Sequence, residues 1–124
     1  MGKKSCCEGG IRLIFPCSGG SDVGELTDRA ARKLTREGWG KMYCLAGIGA
    51  HQKGFLESTK AADEIIAIDG CPAACSFKTL EHAGFKSKKY NLKNMGFAKG
   101  HSPVSGDAIT KICAAIPKKK ATAE

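Results

Sequence analysis

Four cysteines lie at intervals that would let their thiols act together. Cys17, Cys44 and Cys71 are equally spaced along the chain, and Cys75 follows Cys71 at the distance of one helical turn. The equal interval is about the length of one strand-plus-helix unit. If each cysteine follows the end of a parallel strand, all four thiols meet at one edge of a sheet, where four thiolates could bind a metal ion.

Short apolar runs provide the strands that this arrangement needs. The run 11–15 is β-branched and aromatic, and turn residues follow it directly. The run 64–68 is continuously apolar, as expected of a strand buried on both faces, and Asp69 and Gly70 end it just before Cys71. We therefore predict strands over 11–15, 41–46 and 64–68, and a fourth within 85–92.

Between the predicted strands, apolar residues recur with the period of a helix. Asp22 and Glu25 have the spacing of a capping box for the first helix, and Gly38 suits its end. Pro72 suits the first position of a helix whose cap is Cys71. The pattern predicts helices over 22–38, 55–62, 72–84 and 107–116.

The alternation of strands and helices predicts a single three-layer α/β domain with a mainly parallel four-stranded sheet, of the flavodoxin or Rossmann type. Right-handed crossovers favour the strand order 2-1-3-4, with the first strand in the middle. Because neighbouring strands lie about 4.8 Å apart, we expect Cys17 between Cys44 and Cys71 at the carboxyl edge. Sheets of this kind bind their ligands at that edge.

Length and composition are consistent with one domain. A chain of 124 residues can bury roughly two-thirds of its unfolded surface, and no linker divides it. We expect a flexible segment at 1–10, the α/β domain at 11–117 and a basic tail at 118–124. No apolar stretch is typical of a transmembrane segment or a signal peptide, so we expect a cytoplasmic protein with no membrane partner. Its seven cysteines, an odd number, are then expected to be metal ligands or free thiols rather than disulfides.

The net charge of +8 raises the question of nucleic-acid binding. Lysines flank the fourth predicted strand and form the run 118–120. No recognised nucleic-acid motif accompanies them, and the aromatic residues, 6% of the chain, do not alternate with the lysines. We therefore interpret the lysines as a solvated surface and do not expect nucleic acid as a partner.

The positions of the cysteines favour the thiolate, which is the form that binds metal ions. Cys71 at the cap of the third predicted helix and Cys75 one turn later lie near the positive end of that helix. Residues 18–21 could turn backbone amides toward the sulfur of Cys17, since glycine lets the main chain approach closely. A zinc ion bound by four thiolates is the expected centre, and an iron–sulfur cluster is the alternative.

Three segments resemble the DGC domain family, which is named for a central Asp-Gly-Cys motif. They are 16–19, 44–49 and, above all, 68–75, which contains the motif at 69–71. The resemblance extends over about 11–116, nearly the whole chain. It implies a zinc-binding protein whose metal ligands are Cys17, Cys44, Cys71 and Cys75, and it implies no particular reaction.

Two classes of function fit these residues. In the first, the protein binds, stores or delivers the metal ion and is not an enzyme, since four thiolates leave no open position for a substrate. In the second, it is a thiol-redox or sulfur-transfer protein with Cys71 as the nucleophile and Cys75 as its resolving partner. We favour the first class. A phosphatase is not expected, because no arginine that could bind phosphate occurs within 17–25.

Several other polar residues near the predicted site have two interpretations each. Asp69 could accept backbone amides and orient the site, or it could be an ordinary turn residue. His51 could be a reserve ligand or base, although a surface histidine is the simpler interpretation. His82 and His101 receive no functional role.

The three remaining cysteines are not expected to bind the metal ion. Cys113 lies on the apolar face of the last predicted helix and is expected in the core. Cys6 and Cys7 precede the first strand, so they start at the opposite edge of the sheet. We interpret them as exposed, reactive thiols.

Overall fold

The computed structural model describes residues 10–118, in which strands and helices alternate. The elements are β1 (Arg12–Pro16), α1 (Asp22–Arg36), β2 (Lys41–Met42), α2 (Leu45–Gly49), α3 (Lys53–Lys60), β3 (Glu64–Asp69), α4 (Cys75–His82), β4 (Lys88–Asn91), a 3₁₀ turn (Leu92–Met95) and α5 (Gly106–Lys118). The chain therefore forms the α/β fold that the sequence predicts. Cys6, Cys7 and the tail from residue 119 onward lie outside the described residues.

The four strands form one parallel sheet in the order β2-β1-β3-β4, which confirms the predicted order. β1 pairs along its whole length with β3, from Arg12 opposite Glu64 to Pro16 opposite Ile68. All four strands point the same way, so their carboxyl ends meet at one edge. That edge is where the loops carrying the cysteines begin.

Helices cover both faces of the sheet, which gives the three layers. Ile14 of β1 is buried in a cluster with residues of α1 and α5 on one face. Leu13 and Phe15 point to the other face and pack with Ile48 of α2 and Leu80 of α4. This alternation along β1 follows from the period of two in a strand, and both faces are apolar because both are covered.

The N-cap of the first helix lies one residue earlier than predicted. Ser21, not Asp22, is the N-cap, and its hydroxyl accepts a hydrogen bond from the Gly24 amide at 3.1 Å. The predicted capping box of Asp22 and Glu25 is therefore wrong. Gly38 follows the end of α1 with a φ of 85°, a left-handed conformation that glycine adopts without steric cost.

The second strand is shorter than predicted, and an additional helix follows it. The sequence suggests a strand over 41–46, whereas β2 ends at Met42 and α2 starts at Leu45. Packing explains part of this difference, because a Cβ atom on Gly47 would lie 2.5 Å from the ring of Phe55 in α3. The close approach of α2 and α3 needs a glycine there, and it places Cys44 at the start of a helix.

The fourth helix starts later than predicted. Residues 71–74 form a turn in which the Ala74 amide donates to the Cys71 carbonyl at 3.0 Å. Ala74 has a left-handed φ of 52°, and a helix cannot continue through that conformation. Pro72 is therefore not the first helical residue, and α4 begins at Cys75.

Within residues 10–118, no helix combines the length and the apolar character needed to cross a membrane.

Candidate metal centre

Three of the four predicted cysteine ligands lie in loops that leave the carboxyl edge of the sheet, and the fourth, Cys75, is the first residue of α4. Cys17 follows β1 directly, and its amide donates to the Ile68 carbonyl of β3 at 2.9 Å. Cys44 follows β2 after one intervening residue, and Cys71 follows β3 in the same way. Because β2, β1 and β3 are neighbours in the sheet, these three loops start side by side.

The four cysteines differ in exposure. All of them are free thiols, with Cys44 and Cys75 exposed and Cys17 and Cys71 half-buried. Exposed thiols at a sheet edge are accessible to metal ions and to reagents, whereas a purely structural cysteine is normally buried.

Two adjoining cavities divide the cysteines. Cys17 and Cys44 line one cavity of about 460 Å³ at the mouth of β1 and β2. Cys75 lines a second cavity of about 370 Å³, and Gly49 and Thr79 line both. Three of the four thiols therefore lie around two cavities with a common wall.

Cys71 lies apart from both cavities. Its side chain packs against the apolar cluster between the sheet and the helices α1 and α5. Its carbonyl accepts a hydrogen bond from the Asn91 side-chain amide at 2.9 Å, which ties the loop to the end of β4. Across residues 10–118, no three His, Cys, Asp or Glu side chains are gathered into a group that could hold a metal ion.

Polar groups contact two of the sulfurs. The Gly47 amide donates to the Cys44 sulfur at 3.3 Å, so that sulfur caps α2. The Thr27 hydroxyl lies 3.5 Å from the Cys17 sulfur and donates to the Gly24 carbonyl. The Ser18 amide, which the sequence suggested would face the Cys17 sulfur, donates to the Thr27 hydroxyl instead.

Asp69 caps α4, a role that the sequence prediction gave to Cys71. Its carboxylate accepts from the Ser76 amide at 2.7 Å and from the Phe77 amide at 3.0 Å. Burial raises the pKa of Asp69 above its ordinary value, and the two amides lower it in part. The prediction that Cys71 caps this helix is wrong, because the capping group comes from the end of β3.

Gly70 lets the loop after β3 pass directly over α1. A Cβ atom on Gly70 would lie 2.8 Å from the backbone carbonyl carbon of Val23, closer than real Cβ contacts. The motif at 69–71 therefore combines three tasks. Asp69 holds α4, Gly70 permits the crossing and Cys71 is placed just beyond it.

Backbone strain is concentrated at this edge. Within residues 10–118, positive φ values occur at three residues other than glycine: Ser18, His51 and Ala74, at 51°, 56° and 52°. Ser18 follows Cys17, Ala74 precedes Cys75, and His51 lines the Cys75 cavity. Residues other than glycine adopt this conformation at a cost of about 1–2 kcal/mol each, and such residues cluster at functional sites.

Cys113 and His51 lie where the sequence predicts them. Cys113 is buried, its pKa is raised by burial to about 11, and its thiol donates to the Ala30 carbonyl at 3.5 Å, which confirms its place in the core. His51 is exposed, as the simpler interpretation suggests. Its ring nevertheless lies beside that of His82, for which no functional role is predicted from the sequence, and both line the Cys75 cavity.

The lysines beside β4 have local partners. Lys88 forms an ion pair with Glu64, and Lys89 lies over the ring of Phe77, 4.3 Å from its centroid. Both lysines therefore contact other parts of the protein, and their positions do not require a bound ligand.

Comparison with known proteins identifies relatives. The family model described as "DGC domain" matches residues 13–116. The chain is 35% identical over 65 residues to the "Anaerobic and virulence modulator AnvM" of Pseudomonas aeruginosa, which covers 52% of this chain. The match spans only half, 50%, of that relative's length. No solved structure matches.

Proposed function

The chain belongs to the DGC domain family, and from this membership we propose that it is a zinc-binding protein that stores or delivers the ion. Cys17, Cys44, Cys71 and Cys75 are the proposed ligands. The observation that carries the proposal is that three neighbouring parallel strands each send a loop with a free cysteine from the same edge. Four thiol ligands without a carboxylate suit a soft or borderline metal ion, and zinc favours closed tetrahedral sites.

Binding by all four cysteines requires the loop of Cys71 and Cys75 to rearrange. Cys17 and Cys44 already line one cavity, whereas Cys75 lies in the adjoining one and Cys71 lies outside both. The turn at 71–74 contains the strained Ala74, which stands at the N-cap position of α4 with a φ of 52°. Relief of that strain is a source of free energy for such a change.

One of the four sulfurs already accepts a backbone amide. The Gly47 amide donates to the Cys44 sulfur at 3.3 Å, whereas the Ser76 and Phe77 amides at the start of α4 donate to the Asp69 carboxylate and not to Cys75. The exposure of Cys44 and Cys75 supports a cargo role, since an ion held there can be reached by an acceptor. The relative's name describes a modulator, which fits a binding role better than a metabolic reaction.

The position of Cys75 favours one second candidate, a thiol-redox protein. In that case Cys75 would attack a disulfide of a partner, form a mixed disulfide and release the first partner thiolate. Cys71 would then attack the Cys75 sulfur, form a Cys71–Cys75 disulfide and release the second partner thiol. The start of α4 at Cys75 reverses the roles that the sequence suggested, because the exposed thiol at the helix terminus is Cys75.

Metal analysis of protein purified without oxygen tests the proposal. We expect about one zinc per chain, as four protein ligands fill one tetrahedral site. Substitution of serine for any one of the four cysteines should remove most of the zinc, because three thiolates bind the ion more weakly than four. The four variants are Cys17→Ser, Cys44→Ser, Cys71→Ser and Cys75→Ser. Cys113→Ala is the matched control and should keep the zinc, since Cys113 is a core residue.

Two results would contradict the zinc proposal. Iron together with acid-labile sulfide would identify a cluster instead. Full zinc content in both the Cys71→Ser and Cys75→Ser proteins would exclude the loop after β3 from the site.

A further inference from the structure

The cavity beside Cys75 holds two of the three histidines of the chain. Its volume is about 370 Å³. Cys75, Lys78 and His82 lie on one face of α4 and line it from one side, and His51 lines it from the loop after α2. We call this space the histidine cavity.

The two imidazoles are held beside each other. The ring centroids of His51 and His82 are 6.1 Å apart and the rings meet edge to face at 69°. Imidazole nitrogens lie on the rim of the ring and are the commonest metal ligands in proteins. Two rings at this separation can direct one nitrogen each toward an ion between them after small side-chain rotations.

Backbone conformation supports a specific role for His51. His51 has a φ of 56° in an exposed loop, a conformation that is uncommon outside glycine but in which histidine is enriched among the other residues. In this conformation the His51 ring lies beside the end of α4, where His82 is the last helical residue.

We propose that His51 and His82 form a loading site that captures a Zn²⁺ ion from solution and passes it to Cys75. The site provides two protein ligands, so water completes the coordination and binding is weaker and faster than at four thiolates. Lys78 on the same wall keeps the affinity low by repulsion. From Cys75, the shared wall of Gly49 and Thr79 leads to the cavity of Cys17 and Cys44.

This inference rests on the proposed thiol site, and the rate of metal uptake tests it. Metal-free protein is mixed rapidly with Co²⁺, and the absorption of the cobalt–thiolate bond is followed in time. His82→Ala and the double variant His51→Asn/His82→Ala should slow Co²⁺ uptake at least about tenfold, because removal of a group that supports a metal site typically costs that much in affinity or activity. Asparagine is chosen at His51 because it tolerates positive φ.

The third histidine provides the matched control. His101 lies outside the cavity, and His101→Ala should load at the rate of the unchanged protein. The final amount of bound Co²⁺ should be equal in all variants. Equal loading rates in the double variant and in the control would overturn the loading site.

Histidine NMR separates failure of this inference from failure of the thiol site. Nitrogen-detected imidazole signals are followed while Zn²⁺ is added to the Cys75→Ser protein, in which the last step is blocked. Signals of His51 and His82 should shift at lower Zn²⁺ than those of His101. If the unchanged protein forms no cobalt–thiolate absorption band, the proposed thiol site is wrong, and the NMR titration alone tests the loading site. Uniform shifts of all three histidines would then overturn the loading site.

Discussion

Cys75 and Cys113 are the same residue type in opposite surroundings. Cys75 is exposed at the first position of α4, where solvent and reagents can reach its sulfur. Cys113 is buried, and its pKa is raised to about 11, so little of it is thiolate at neutral pH. Thiol reactivity should therefore differ greatly between these two sites.

Brief alkylation followed by mass spectrometry measures that difference. In metal-free protein we expect Cys75 and Cys44 to react first, because they are exposed, and Cys113 last, because it is buried and burial raises its pKa to about 11. Zinc should slow Cys75 and Cys71 together, since a bound thiolate must leave the ion before it reacts. Rapid alkylation of Cys75 in zinc-loaded protein would instead favour the thiol-redox function.

At single residues, the sequence identified the cysteines but not their local roles. Equal spacing predicted that Cys17, Cys44 and Cys71 follow strand ends, because spacing reflects the strand-plus-helix repeat. The cap of α4 could not be predicted in the same way. The cap depends on the Asp69 carboxylate, which accepts hydrogen bonds from the Ser76 and Phe77 amides across the turn. The spacing of apolar residues in the helix contains no information on that contact.

Among the elements, the loop between β3 and α4 carries the most constraints. Asp69 accepts two amides of α4, and the Ser76 hydroxyl donates to the Phe15 carbonyl of β1 at 2.6 Å. Gly70 crosses α1 without space for a side chain. The position of Cys71 therefore depends on contacts with three other elements.

Gly70→Ala should lower the free energy of unfolding by about 1–3 kcal/mol, because the added methyl group meets the rigid backbone of Val23. It should also reduce zinc content by displacing Cys71. Denaturant titration and metal analysis measure the two effects.

Gly54→Ala is the control for this substitution. Gly54 lies inside α3 and has open space at its Cβ position, so alanine should stabilise the protein by about 0.5–1 kcal/mol. If Gly70→Ala were as stable as the unchanged protein, the crossing over α1 would not require glycine.

The sequence predicted the longer elements and missed the shortest α-helix, α2. α1 and β3 have periodic patterns long enough to recognise, and their predicted positions agree with the structure within a few residues. α2 has five residues, two of them glycine, and glycine is a weak helix former. Its helix depends on the Cys44 sulfur at its cap and on packing against Phe55, which are tertiary contacts.

For the whole molecule, Asp22 connects segments that are distant in sequence. It lies in the first turn of α1, and its carboxylate accepts from the amides of Gly100 and Ser102, each at 2.9 Å. The Gly100 amide, followed by the Ser102 amide, lowers the pKa of Asp22 below its ordinary value. The loop before α5 is thereby attached to the layer that α1 forms.

This contact makes stability depend on pH in a defined direction. A carboxylate whose pKa is lowered by folding stabilises the fold above its unfolded pKa, near 3.8, and that contribution is lost as pH falls through the folded value. The midpoint temperature of thermal unfolding should therefore fall more steeply below about pH 4 in the unchanged protein than in the Asp22→Asn protein. Asp107→Asn, in the first turn of α5, changes the charge equally and is the control. Parallel declines in the unchanged and Asp22→Asn proteins would contradict this role.

The strand order was predictable because few topologies satisfy the handedness of crossovers. The division of the cysteines between two cavities was not, since it depends on how α2 and α4 pack against each other. Sheet topology brings loops to a common edge within several ångströms. Metal binding needs sulfur positions defined more narrowly than that.

The central place of β1 has a consequence for how the protein is made. Of the four cysteines proposed as ligands, Cys17 leaves the ribosome first, but β1 can pair with both of its neighbours only after β3 has been synthesised. Contacts between parallel strands are distant in sequence and form late in folding. The thiols therefore reach a common edge only in a chain whose sheet has assembled correctly, so the accessibility of Cys44 relative to Cys17 reports on the completion of the sheet.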